Sequence, residues 1–192
     1  MGPIGWRVAV RALAGFIAGV ALWLLLSPLY DRAIAAGAQA IMRTFEKPKV
    51  TRLHVESDRF TTVDRSDFDP RSKRPAISIA DLTFNVVLLI ALFAASPRPF
   101  SDRNIGGMLV AFAALALTHI LAAVTEVMSI YVAKLGMWST VHYSSFERNF
   151  WGVSSTFYRV VLMYAIAFAL WWMLHDRATA SSVKKKKGRA KR

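Results

Sequence analysis

Five polar side chains stand inside otherwise apolar text: Asp81, Asn85, His119, Glu126 and Arg159. His119 and Glu126 are the candidates for acid and base work. They lie seven residues apart, which at about 100° per residue places them near one face of a helix, with Thr118 and Thr125 alongside. An imidazole near a carboxylate in a low-dielectric setting can relay protons, hold a lipid head group or contribute to a metal site. A metal needs at least a third ligand, and the chain has no HxxxH or HxxE spacing and no cysteine. No metal or cofactor is therefore expected. The same side chains have a structural use, because buried polar groups join membrane helices through hydrogen bonds worth ~0.6–2 kcal/mol. A non-catalytic role is the expectation; the alternatives are a membrane-embedded enzyme or a small transporter or channel subunit that uses His119 and Glu126.

These residues are positioned by four apolar stretches. The central one, 106–133, has no proline and a single acid, Glu126, and is long enough to cross a hydrocarbon layer of ~30 Å. Before it, 76–95 carries Asp81 and Asn85 and ends at the breaker Ser96-Pro97-Arg98-Pro99. After it, 151–175 carries Arg159 and closes on Trp171 and Trp172. The first stretch follows Arg7 and Arg11 and runs through Leu26 to Ser27-Pro28. Basic residues followed by an apolar core also describe a signal peptide, with Ala36-Gly37-Ala38 as a cleavage site, but plausible helix continues through 29–45, so an uncleaved span is expected. Trp6 stands where a myristoylation signal has Ser or Thr.

Composition agrees with a membrane protein. The 192 residues are 55% hydrophobic, and the mean hydropathy is +0.36, too apolar for a soluble domain of this size. A net charge of +13 would suggest nucleic acid in a soluble protein. Here the excess gathers at membrane edges and in a tail, so nucleic acid is not expected as a partner. Alternation of Leu53 and Val55 with Arg52, His54 and Glu56 predicts a β-hairpin within 50–63, turning at Ser57-Asp58. A lone hairpin is marginal in water, so it is expected to lean on the helix before it or on another protein. Asp64, Asp67 and Asp69 follow in a polar loop that lacks the glycine and terminal glutamate of an EF-hand.

The expected fold class is an all-α integral membrane protein with four transmembrane helices and a small β-hairpin-containing extracytoplasmic insert between helices 1 and 2. In order, a basic segment and helix 1 occupy 1–30, and the insert, with a helical extension, hairpin and polar loop, occupies 31–75. Helix 2 is 76–95, a cytoplasmic loop 96–105, helix 3 106–134, an extracytoplasmic aromatic loop 135–150, helix 4 151–175, and a disordered basic tail 176–192. Lys184, Lys185, Lys186, Lys187, Arg189, Lys191 and Arg192 assign the tail to the cytoplasm, where they meet anionic lipid. Four spans put both termini on that side, in a bacterial inner membrane. Asp81, Glu126 and Arg159 then fall near the outer boundary, with Asn85 and His119 deeper. A bare charge at the bilayer centre costs ~2.5–3.5 kcal/mol, so Arg159 is expected to pair with Glu126, or failing that with Asp81.

Residues 83–124 read TFNVVLLIALFAASPRPFSDRNIGGMLVAFAALALTHILAAV. An Asn in an apolar span, an ALxxA-x-P exit, a short basic loop and a Gly-led span with a His resemble the core of the exosortase/archaeosortase group and its associated small membrane proteins. The resemblance implies a place beside protein-sorting and surface-anchoring machinery, with other membrane proteins as partners. That group's transpeptidase chemistry uses a Cys nucleophile, which this chain lacks, so the resemblance implies a non-catalytic accessory in which Asn85 and His119 are the matching positions.

Overall fold

The first helix, α1 (Pro3–Phe45), runs for 43 residues, about 65 Å at 1.5 Å per residue. The expected first span and helical extension are thus one element, with Pro28 inside it. Pro28 removes the N–H that the Leu24 carbonyl would accept, an irregularity that membrane helices tolerate. These features come from a computed structural model that describes residues 3–46, 49–56, 60–68, 71 and 73–175. Its contacts divide the chain into two compact units: described residues of 1–24, 85–115 and 164–192 form one, and those of 25–84 and 116–163 the other.

In the first unit, α1 packs on α3 (Asn85–Ala94) through Gly15 and Gly19. A Cβ on Gly15 would collide with Ala94 Cβ and stand 3.2 Å from Ala91 Cα; one on Gly19 would stand 3.3 Å from the Val87 carbonyl oxygen. This small-xxx-small pair lets two backbones approach closely, the device by which membrane helices gain packing without a hydrophobic drive. Arg11 donates to the carbonyl oxygens of Ser96 (3.4 Å) and Pro97 (3.1 Å). Asn104 Nδ2, at the start of α4 (Asp102–Ala133), donates to those of Phe93 (3.3 Å) and Pro99 (2.9 Å). Val86, Leu89, Phe93, Ala111 and Leu115 form the buried core.

In the second unit, Ile34, Ala35, Ala38 and Met42 are buried along one face of α1 at helical spacing. Strands β1 (Thr51–Val55), β2 (Thr61–Arg65) and β3 (Ala76–Ile77) form an antiparallel sheet in the order β1-β2-β3, with Thr51 opposite Arg65 and Thr61 opposite Ile77. The predicted hairpin is present, and a third strand is added by Ala76–Ile77, the first residues of the stretch expected as helix 2. The turn expected at Ser57-Asp58 lies outside the described residues. The hairpin leans on α1: Gln39 Oε1 accepts from Leu53 N at 2.8 Å, and Arg43 Nε donates to the Thr51 carbonyl at 3.0 Å.

Two expectations change. The stretch expected as one span over 76–95 is α2 (Ile79–Thr83), begun by a Ser78 cap, and then α3, with Phe84 between them. The expected aromatic loop contains α5 (Met137–His142), and α6 (Ser145–Phe157) starts inside it. Ser144 and Glu147 make a reciprocal capping box that fixes that start. A π-helical turn (Tyr158–Leu162) follows, then helix again over 163–175. Three helical runs, Gly5–Phe45, Asp102–Ala133 and Ser145–His175, are long and apolar enough to cross a membrane, and Ile79–Ala94 is a shorter apolar one.

Replacing Gly19 by Leu should lower the detergent-solubilised melting temperature by several degrees, since overpacking of this kind costs ~1–3 kcal/mol. Gly5→Leu, where a Cβ meets nothing within 4 Å, should leave it unchanged.

Candidate functional site

From residue 122 to 132 nearly every side chain of α4 is buried, so its polar atoms must find protein partners. Glu126 finds two. Ser155 Oγ donates to its Oε2 at 2.5 Å, and Arg159 grips the carboxylate in a fork, Nε to Oε2 at 3.2 Å and Nη2 to Oε1 at 2.9 Å. The expected Arg159–Glu126 pair is therefore present. Ser155 and Arg159 lie one turn apart, and the π turn sets what comes next: the Met163 N–H reaches back to the Tyr158 carbonyl, five residues away. The extra residue lets Tyr158 and Met163 both be buried, where a regular helix would rotate one of them outward. The side chains are unequally covered, Glu126 at 9% exposure and Arg159 at 40%. The carboxylate is thus the member that cannot survive alone.

His119, fully buried, is hydrogen-bonded through Nδ1 to the Tyr30 hydroxyl at 2.8 Å, with the rings edge to face. His119 and Glu126 consequently have different polar partners. Beside Tyr30 stands Asp31, only 2% exposed, and Ser27 is buried one turn away. From sequence, Asp31 opens the aqueous insert; in the structure it lies on the buried face of α1. The signal was the spacing of Ser27, Asp31, Ile34, Ala38 and Met42, which share that face once the helix is allowed to pass Pro28. Asp81 is exposed in the first turn of α2, where its own N–H donates to Ser78 Oγ at 3.3 Å. Asn85 is buried at the start of α3 and belongs to the first unit.

A second polar assembly, unforeseen from sequence, joins the sheet to the helices. Arg65 pairs with Glu46 at 3.0 Å and, through two nitrogens, with Asp67 at 2.8 and 2.9 Å. Its guanidinium also lies 5.0 Å from the Tyr131 ring centroid, 5.2 Å from Trp138 and 6.0 Å from Phe68. Thr51 bonds to both Glu46 and the Tyr131 hydroxyl, the latter at 2.7 Å. The end of α1, two strands, the end of α4 and α5 therefore meet at one cation. Burial alone lowers the Arg65 pKa, but the Asp67 hydrogen bond and the charges of Asp67 and Glu46 outweigh it and raise it. The Asp67 pKa is lowered, chiefly by its hydrogen bond from Arg65. Asp64 is ion-paired with Arg74 at 3.4 Å, so two of the three loop aspartates have arginine partners, and Asp69 lies outside the described residues. The tail lysines and arginines, Lys184 to Arg192, lie outside them as well.

Three long apolar helical runs, a carboxylate–guanidinium fork between two of them and a small three-stranded sheet define a membrane protein. The family model for exosortase H-associated membrane proteins matches residues 4–178, and the chain belongs to that family. The resemblance drawn from residues 83–124 thus holds across nearly the whole chain. No curated protein and no solved structure matches it.

Replacing Arg159 by Ala should cost ~3–5 kcal/mol, because it strands the enclosed Glu126 carboxylate, whereas Glu126→Leu with Arg159→Leu should recover much of the loss. Thermal melts of both variants check this. Asp67 adds a pH signature. Its folded pKa is depressed, so its contribution is present above the unfolded value of ~3.9 and is lost as pH falls through the lower folded one. Loosening of the insert below about pH 4, followed by hydrogen exchange of β2, should lose part of its acid dependence in Asp67→Asn.

Proposed function

We propose that this chain is a non-catalytic integral membrane subunit of an exosortase system and that it docks its partner through the sheet insert. Membership of a family named for association with exosortase H supports the setting. The observation that carries the docking role is the open face of the sheet. Thr51, Val63 and Ile77 are buried beneath it, while Arg52 and His54 point the other way and Arg52 sits opposite Asp64. Asp64 is flanked by Arg52 on one side and by its ion-pair partner Arg74 on the other. Arg52 opposite Asp64, the Asp64–Arg74 ion pair, and Glu56, whose carboxylate accepts from Thr62 on the same face, make an exposed surface of mixed charge, an arrangement suited to complementary recognition. The cage around Arg65 and the α1 side chains hold that surface rigid, so little ordering entropy is lost on docking.

In this reading the chain crosses a bacterial inner membrane four times, with Ile79–Ala94 as the second crossing and both termini in the cytoplasm. The insert is extracytoplasmic, and the basic tail from Lys184 to Arg192 touches anionic lipid. The Glu126–Arg159 fork and the Tyr30–His119 pair hold helices in register and contribute to the partner-facing outer half.

Mild-detergent purification from native membranes should recover an exosortase in stoichiometric amount. Arg52→Gln with Arg74→Gln should abolish that recovery while changing the melting temperature little, since an exposed ion pair contributes only ~0–1 kcal/mol. Recovery undiminished by the double substitution would remove the docking face from the insert, and a chain purified without an exosortase would end the subunit reading.

A further inference from the structure

The outward side of α5 and α6 is apolar over a length that water would not leave uncovered. On α6, Phe146, Phe150, Val153 and Phe157 are all exposed and recur at helical spacing as one stripe, with Phe146 at 76%. Within the π turn, Val160 and Val161 extend it on the same run of helix. On α5, Met137, 82% exposed, and Val141 also face outward. The opposite sides are already used: Ser155 and Tyr158 are buried, and Trp138 stacks on His142 at 4.4 Å while lying against Arg65.

We propose that this face is an interfacial anchor and that its occupant is lipid, at the depth of the head groups and the first acyl carbons. Length selects lipid over an aqueous partner. The helical run Ser145–His175 has 31 residues, about 46 Å at 1.5 Å per residue. That matches the ~40–45 Å of hydrocarbon plus interfacial layers rather than the ~30 Å of hydrocarbon alone. The turns holding Phe146 and Phe150 therefore fall in the interface of the bilayer that the rest of the run crosses, and the apolar stripe continues into that crossing without a break. Aromatic side chains interspersed with Glu147, Arg148 and Asn149 suit that mixed layer. Exposed Lys134, just before α5, can lay its stem along it with the ammonium at phosphate level. Because the other side of α5 carries Trp138 into the Arg65 cage, seating this face in lipid also sets the height of the sheet above the membrane.

The chain has no cysteine, so single cysteines can be labelled on a clean background. Val141→Cys, Phe146→Cys, Phe150→Cys and Val153→Cys carry a nitroxide, and the purified protein is reconstituted into phosphatidylcholine/phosphatidylglycerol vesicles. Lys73→Cys serves as the aqueous reference and Val160→Cys as the hydrocarbon reference. Power saturation should show oxygen accessibility several-fold above that of a water-soluble nickel complex at all four positions, at depths between the two references. Nickel accessibility equal to that at Lys73→Cys would overturn the proposal and leave the face waiting for a protein. Shielding from both reagents with spin–spin broadening would overturn it in favour of a second copy of the chain.

Discussion

Nearly every side chain of α4 from 122 to 132 is buried, as is His119 before them, and this constraint governs the neighbouring elements. Buried polar atoms cannot turn to solvent, so each must be met by a specific group from whatever packs against it. His119 is met by Tyr30 from α1, Glu126 by Ser155 and Arg159 from the last helical run, and Tyr131 by Thr51 from β1. Apolar contact alone tolerates sliding by a turn, because one aliphatic surface resembles the next. Three polar ties at successive heights do not, since a one-turn slip would strand all of them together.

Unequal burial shows how such ties are built where water is scarce. The carboxylate is the enclosed partner and the arginine the outer one, with part of its guanidinium uncovered. At Arg65 the cation and one carboxylate, Glu46, are both enclosed, Asp67 is the open partner, and three aromatic rings lie around the guanidinium. Guanidinium suits both positions because it is planar, is weakly hydrated for an ion and can use its edge for carboxylates and its face for rings. Both assemblies are made of ion pairs, hydrogen bonds and ring contacts that tie separate elements together.

Much of this was legible in the residues. An uninterrupted apolar stretch with one acid announced α4, and the cost of a bare charge in lipid announced the pairing of Arg159 with Glu126. Text around Asn85 and His119 carried the kinship with the exosortase group. What stayed hidden had physical causes. Pro28 read as the end of the apolar run, with helix continuing into a polar insert, so the burial of Asp31 on the face it shares with Ser27 and Ile34 went unseen. Gly15 and Gly19 lay inside a run whose hydrophobicity drew attention away from its small residues. The capping box at Ser144 was local and readable, but the surrounding aromatics suggested a loop. The Arg65 cage joins residues far apart in sequence, and no periodicity within one element encodes it.

The outer edge of β1 has a further consequence. Its Thr51 and Leu53 N–H groups, which would otherwise face outward unpaired, are taken by Glu46 and Gln39 of the preceding segment, and Arg43 takes the Thr51 carbonyl. An open edge invites any extended chain, whatever its sequence, because main-chain atoms are the same everywhere. With the edge closed over these positions, backbone pairing there is no longer on offer. The same closure guards against edge-to-edge pairing when many copies of the chain crowd one membrane.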